Sequence, residues 1–102
     1  MLIVKIFVHK EFGDIRTLNI NNKPWFVGED VATALGYSNS QEAIRDHVDE
    51  DDRIVYSRSD TQDIVIINEF GLCSLISSSE LESAKIFKRW VKTKVLPRLE
   101  KN

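Results

Sequence analysis

The sequence has little of what several classes of protein require. It contains one cysteine, Cys73, so no disulfide can form within the chain, and only two histidines, His9 and His47, far apart in sequence. A zinc site needs several closely spaced cysteine or histidine ligands, and His47 has no second ligand at that spacing. No apolar run approaches the roughly 20 residues that cross a membrane, and the basic start of a signal peptide is missing. We therefore expect a cytoplasmic protein with no metal and no membrane contact.

The residues of a recognisable enzyme site are also missing. No nucleophile stands at a recognisable spacing from a base, and the four glycines form no phosphate-binding loop. The acidic run 49–52 has Arg53 and Ile54 where a calcium loop needs an oxygen ligand and a glycine, so we interpret it as a solvated turn. The sequence predicts a binding module without a cofactor, and not an enzyme.

Charge is divided unevenly along the chain. The whole sequence has a net charge of −2, which argues against nonspecific nucleic-acid binding. From residue 84 onward, however, seven basic residues face one acidic residue, a net charge of +6, whereas the first 83 residues have a net charge of −8. Such asymmetry indicates a polarised surface and a charged partner, without identifying that partner.

The pattern of apolar residues predicts one α+β domain spanning residues 1–102. Alternation indicates three strands, 2–8, 15–20 and 24–27, which would form an antiparallel meander. On the first strand one face carries only apolar residues, namely Leu2, Val4, Ile6 and Val8. Two further apolar segments, 54–56 and 64–67, predict a hairpin that extends the antiparallel sheet.

Two short helices are expected after the meander. Gly36 should end the first helix at Leu35, and Asn39 with Glu42 has the capping-box spacing that starts a second helix near Ser40. This is the shape of a helix-turn-helix, although a plain helical hairpin would give the same pattern. The pair is therefore helix-turn-helix-like, and its function depends on the exposed face of the second helix.

Two more helices follow the hairpin. Asn68 is a suitable N-cap for a helix in which Cys73, among leucine and isoleucine neighbours, is expected to be buried and unreactive. Ser79 and Glu82 have capping-box spacing and predict the start of a long C-terminal helix. Pro97 should kink or end that helix.

The second helix and the last helix carry the candidate DNA-binding residues. Gln41 and Arg45 lie one turn apart and could address adenine and guanine edges in the major groove, although Glu42 and Asp46 on the same surface would repel phosphates. The candidates for contact with the DNA backbone are polar or basic residues, namely Ser38, Asn39, Arg58, Lys85, Lys88, Arg89 and Lys92.

Several stretches together resemble one family, the BRO family N-terminal domain of phage and prophage antirepressors and baculovirus BRO proteins. They are WFV at 25–27 with DVA at 30–32 and ALGY at 34–37, AIRDHV at 43–48, INE at 67–69 with GL at 71–72 and SLI at 74–76, and FKRWV at 87–91 with VLP at 95–97. The resemblance runs from about Phe7 to Leu99. The sequence departs from the family pattern at Ser40, Phe70 and Cys73.

The resemblance implies a DNA-associated regulatory module that acts in transcription control and forms the front part of a longer antirepressor. Its partner would be duplex DNA. In the alternative, the domain docks on a repressor or host regulator without contacting DNA. The location implied is the bacterial cytoplasm, or the nucleus or cytoplasm if the chain comes from a eukaryotic virus. The sequence leaves open whether the chain forms a homo-oligomer.

Overall fold

The computed structural model describes residues 4–56 and 63–100, and within them five strands form one antiparallel sheet. The strands are β1 (Val4–His9), β2 (Gly13–Ile20), β3 (Lys23–Val27), β4 (Arg53–Tyr56) and β5 (Ile64–Ile67), in the spatial order β1-β2-β3-β5-β4. The meander and the hairpin predicted from the sequence are both confirmed. The hairpin tip, which includes Arg58, lies outside the described residues.

Four helices accompany this sheet, which confirms the α+β class. They are α1 (Gly28–Ala34), α2 (Ser40–His47), α3 (Glu69–Ser78) and a C-terminal helix built from α4 (Ala84–Trp90), a π-helical turn (Val91–Val95) and α5 (Leu96–Glu100). A 3₁₀ turn, Glu50–Asp52, stands where the acidic run was expected to form a turn. No helix in the described ranges is both long and apolar enough to cross a membrane.

The helices form one layer on one face of the sheet, and the core lies between them. Phe7, Ile15, Phe26 and Ile67 project from the strands into a cluster that includes Phe87 of the C-terminal helix. Burial of this apolar surface supplies most of the driving force for the fold.

Hydrogen bonds show where the two outer helices of this layer lie. The C-terminal helix lies over β1, β2 and β3, and Lys5 Nζ donates to the Arg98 carbonyl (3.4 Å) while Asn19 Nδ2 donates to the Leu99 carbonyl (2.8 Å). The helix α2 lies at the β4 end, where Arg53 Nη1 donates to a carbonyl of α2 and to that of Val48. The two helices therefore do not pack on each other, and α3 lies between them.

The other face of the sheet has a smaller apolar cluster of strand residues only, centred on Leu18, Val27 and Ile66. On this face Ile6 and Val8 are 57% and 71% exposed. The alternation predicted for β1 is therefore correct, but its apolar face points away from the core. Phe7 enters the core instead, because the helices pack on the face that carries it.

Local signals at helix ends are confirmed where they were expected. Gly36 follows Leu35, the C-cap of α1, and has a φ of +85°, the left-handed conformation that glycine adopts without strain. Asn39 and Asn68 cap α2 and α3 by accepting from the backbone N–H three residues on, both at 3.0 Å. Gly71 is a close-packing point, since a Cβ there would lie 3.0 Å from Val48 and 3.1 Å from Ile67.

The predicted start of the C-terminal helix is wrong. The helix begins at Ala84, and its N-cap residue Ser83 makes no capping bond from its side chain. Ser79 Oγ donates to the Leu35 carbonyl (2.8 Å) and accepts from Leu81 N–H (3.2 Å), so it joins α1 to the end of α3. A tertiary hydrogen bond thus replaces the expected local cap.

Pro97 does not end the C-terminal helix, which continues to Glu100. The π-helical turn immediately precedes it, and Leu96 N–H donates to the Val91 carbonyl five residues back. Pro97 therefore lies inside a continuous helix, and the wider π-helical turn before it accommodates the proline ring and the missing N–H. Leu99 lies beyond the proline, is 2% exposed and packs in the core.

Cys73 is exposed, so the prediction of a buried thiol is wrong. Leu72 and Leu75 point from α3 into the core, but Cys73 shares the opposite side of the helix with Phe70 and Ser77, both also exposed. Residues three and four apart share a helix face, whereas the neighbour in sequence does not. The apolar neighbours of Cys73 therefore did not determine its own environment.

Candidate functional site

The exposed face of α2 carries the predicted base-contacting residues. Gln41 and Arg45 are both exposed, while Ile44 on the opposite side is 5% exposed and packs in the core. Arg45 Nε lies 3.9 Å from Asp46 Oδ1, and these two side chains are 69% and 53% exposed. An ion pair that is this exposed to solvent contributes little to stability, and it leaves Arg45 available to a ligand.

The turn before α2 presents the two candidates at its N-terminus. Ser38 is exposed, and Asn39 is exposed although its Oδ1 accepts the N–H of Glu42. Because that oxygen is engaged as a cap, an incoming phosphate would meet the amide nitrogen of Asn39. The prediction of these two residues as backbone contacts is compatible with their exposure.

Tyr37 fixes this turn on α3. Its hydroxyl donates to the Leu75 carbonyl at 2.7 Å, and its ring lies 5.7 Å from the imidazole of His47. Burial raises the pKa of the Tyr37 hydroxyl above its ordinary value, because the ionised form loses solvation there. The hydrogen bond from Tyr37 to α3 thus fixes the turn that presents Ser38 and Asn39.

Asp30 fixes the first turn of α1 on strand β2. Its carboxylate accepts the backbone N–H of Arg16 (2.9 Å) and two guanidinium hydrogen bonds from the same residue (2.8 and 2.9 Å). The hydrogen bond and charge of Asp30 raise the pKa of the Arg16 side chain. Sequence reasoning missed this pair, because its two residues lie on different elements and share no local motif.

The C-terminal helix carries the largest group of exposed cations. Its buried side consists of apolar residues, Ala84, Phe87, Val91, Val95 and Leu99, as the sequence predicted in part. Six basic side chains cover the rest and are all exposed, namely Lys85, Lys88, Arg89, Lys92, Lys94 and Arg98. Within residues 4–56 and 63–100 none of the six forms an ion pair.

The structure does not bring the two candidate surfaces side by side. The base-contacting pair on α2 lies at the β4 end of the sheet, and the cations lie on a helix that packs over β1, β2 and β3, with α3 between the two. Both surfaces nevertheless belong to the same helical layer.

An open groove between α2 and α3 was not predicted from the sequence. Its volume is 1080 Å³, and its charged lining consists of four carboxylates and two guanidinium groups: Asp46, Asp49, Glu50, Asp52, Arg45 and Arg53. Phe70 lies in its wall and is 73% exposed. One feature of the sequence could have indicated this groove, namely that Phe70 lies on the side of α3 opposite Leu72 and Leu75.

Comparison with known proteins places the chain. The model of the BRO family N-terminal domain matches residues 14–97. An uncharacterised protein of Haemophilus influenzae is 39% identical over 80 residues, covering 76% of this chain and 40% of the relative. A protein of Invertebrate iridescent virus 6, named as a Bro-N domain-containing protein (289L), is 33% identical over 99 residues.

That second match covers 76% of this chain and 24% of the viral protein. The chain thus spans less than half the length of either relative. No solved structure matches. The match over residues 14–97 shows that the chain belongs to the BRO family and that these residues form the N-terminal domain characteristic of that family.

Proposed function

We propose that the chain is a DNA-binding regulatory module of the antirepressor type, acting in transcription control in the cytoplasm of a bacterial host. The observation that supports this most is the group of exposed cations on the C-terminal helix, which form no ion pair with any residue in the described ranges. Phosphate neutralisation by lysine and arginine dominates the affinity of proteins for DNA. The rest of the chain is acidic, so the attraction is confined to this helix and orients the domain on the duplex.

Under this proposal the two surfaces have different tasks. Lys85, Lys88, Arg89 and Lys92 contact phosphates and position the domain, with Ser38 and Asn39 as weaker contacts. Gln41 and Arg45 on α2 read base edges further along the same duplex. Glu42 and Asp46 flank them and repel phosphates, so α2 contributes selectivity and little affinity.

Alanine variants assayed by mobility shift on duplex DNA test this division. Lys88→Ala should weaken binding to all sequences alike and lower the salt slope by about one unit. Arg45→Ala should cost roughly 1–3 kcal/mol at a preferred site and relax specificity there. Lys23→Ala is the matched control, because Lys23 is an exposed lysine at the start of β3, outside the C-terminal helix. Equal loss from Lys23→Ala and Lys88→Ala would contradict the proposal.

The acidic groove between α2 and α3 supports a second candidate function, docking on a repressor protein without DNA. Its four carboxylates outnumber its two arginines, so the groove suits a basic partner surface. Phe70 offers an apolar anchor of the kind that dominates interface energies. In a reporter assay of repressor relief, this candidate predicts that Phe70→Ala abolishes relief while Lys88→Ala does not. The DNA-binding proposal predicts the reverse order.

A further inference from the structure

The edge of the sheet at β1 is open in the described part of the chain. Along residues 4–9 β1 pairs with β2 only, in antiparallel register from Val4 opposite Leu18 to His9 opposite Gly13. In an antiparallel pair every second residue of an edge strand directs its N–H and C=O away from its neighbour. This edge therefore offers a row of backbone donors and acceptors.

A groove runs along this edge, between β1 and the C-terminal helix. Its volume is 730 Å³, and its lining residues are Lys5, Ile6, Phe7, Val8, Trp90, Lys94 and Arg98. Because the lining includes consecutive residues of β1, whose side chains alternate between faces, the groove follows the strand edge itself. Trp90 forms one wall of the groove, and its position is fixed by edge-on packing against His9, with the two ring centroids 4.9 Å apart.

Charge in the groove has one sign. Three of its lining residues are cations and none is acidic. Lys94 and Arg98 lie one helical turn apart and form no ion pair with any described residue, while Lys5 Nζ lies 3.4 Å from the Arg98 carbonyl. The side of the groove formed by the helix therefore favours acidic groups.

The opposite side of the same edge is apolar. Ile6 and Val8 are exposed on the sheet face that has no helix in the described ranges. A strand added beside β1 would place alternate side chains against the helix and against these two residues.

We propose that this groove binds an extended segment of a partner protein, five or six residues long with acidic and apolar residues alternating, as an additional strand beside β1. The length follows from β1, which has six residues. A peptide backbone supplies both the donors and the acceptors that the strand edge requires, which a nucleic-acid backbone does not. A second copy of this chain fits poorly, because edge-to-edge pairing would bring Lys5, Lys94 and Arg98 of both copies together.

This surface is separate from the one proposed to contact DNA. Peptide binding uses Lys94 and Arg98, which line the groove, whereas Lys88 and its basic neighbours toward the helix start do not line it. Failure of either proposal leaves the other unaffected.

Selection of a random dodecapeptide display library on the whole chain tests the proposal. The enriched peptides should alternate acidic and apolar residues and contain little proline. A synthetic copy of the best peptide should shift the backbone amide NMR signals of β1. Methylating its alternate backbone nitrogens in the register that faces β1 should weaken binding at least about tenfold, since those N–H groups are then lost.

Charge reversal supplies the matched control. Lys94→Glu with Arg98→Glu should weaken peptide binding by about tenfold or more, whereas Lys88→Glu on the same helix should change it by less than about twofold. Circular dichroism and urea midpoints show whether each variant is folded. No enrichment, peptides without alternation, or equal binding of the methylated peptide would overturn the proposal. Binding of oligothymidine that depends on Lys94 and Arg98, with no peptide binding, would also overturn it.

Discussion

The Asp30 carboxylate joins two elements of the fold. Three hydrogen bonds to Arg16 join the first turn of α1 to β2, and the Asp30 side chain is only 13% exposed. Asp30→Asn removes the charge and at least one of these bonds while keeping the side-chain shape. We expect the free energy of unfolding to fall by about 1–2 kcal/mol, measured by urea denaturation.

Glu29→Gln is the matched control for Asp30→Asn, because Glu29 precedes Asp30 in the same turn and is exposed. It should change stability by less than about 0.5 kcal/mol. If the two variants are equally destabilised, the effect comes from the helix dipole and not from the contact with Arg16.

Cys73 gives a direct check on the orientation of α3. Because this thiol is exposed, a thiol reagent should label the native protein rapidly, without prior unfolding. The chain has no other cysteine, so Cys73→Ser should abolish labelling completely. Labelling only after addition of denaturant would mean that α3 is rotated relative to the core.

Tyr37 should make stability depend on pH in the alkaline range. Its pKa is raised in the folded chain, so the folded state holds the proton more tightly than the unfolded state does. This contribution is fully present below the unfolded value of about 10 and is lost as pH rises through the raised pKa. Between about pH 8 and pH 11, the urea midpoint should therefore fall more for the wild type than for Tyr37→Phe. Identical pH profiles would show that Tyr37 ionises as freely in the folded chain.

At the scale of single elements, the cap of α2 is the clearest local determinant. Asn39 Oδ1 accepts the Glu42 N–H at 3.0 Å, whereas the adjacent Ser38 makes no capping bond in α2. Asn39→Ala should lower the free energy of unfolding by about 1 kcal/mol, while Ser38→Ala should leave it nearly unchanged. Urea denaturation of both variants measures the difference. A larger loss of stability for Ser38→Ala than for Asn39→Ala would show that Asn39 is not the residue that caps α2.

Helix ends were predictable because their signals are local. Gly36, Asn39 and Asn68 each act within a few residues of their own position, so the sequence alone identifies them. Ser79 shows the limit, since the same local spacing was present but its hydroxyl bonds instead to Leu35, 44 positions away.

Which face of an element meets the core was less predictable. Alternation in β1 was correct, yet the core takes Phe7 and leaves Ile6 and Val8 exposed. The choice depends on which side of the sheet the helices cover, and this is decided by contacts distant in sequence. Cys73 was misplaced for the same reason, because its burial was inferred from neighbours on another side of α3.

At the scale of the whole molecule, the exposure of individual site residues was predicted but their arrangement was not. Gln41, Arg45 and the lysines of the last helix are all exposed as expected. Their separation across the helical layer follows from the strand order, in which β5 lies between β3 and β4. No feature of a single sequence specifies that order, so the distance between the two surfaces required the structure.

The salt dependence of binding to random-sequence duplex DNA tests the central claim most directly. If Lys85, Lys88, Arg89 and Lys92 each neutralise one phosphate, the logarithm of the association constant should fall with the logarithm of salt concentration at a slope of about −3 to −4. Fluorescence anisotropy of a labelled duplex, titrated at several salt concentrations, measures that slope. No binding at low salt, or a slope near zero, would contradict the claim that this domain binds DNA through its C-terminal helix.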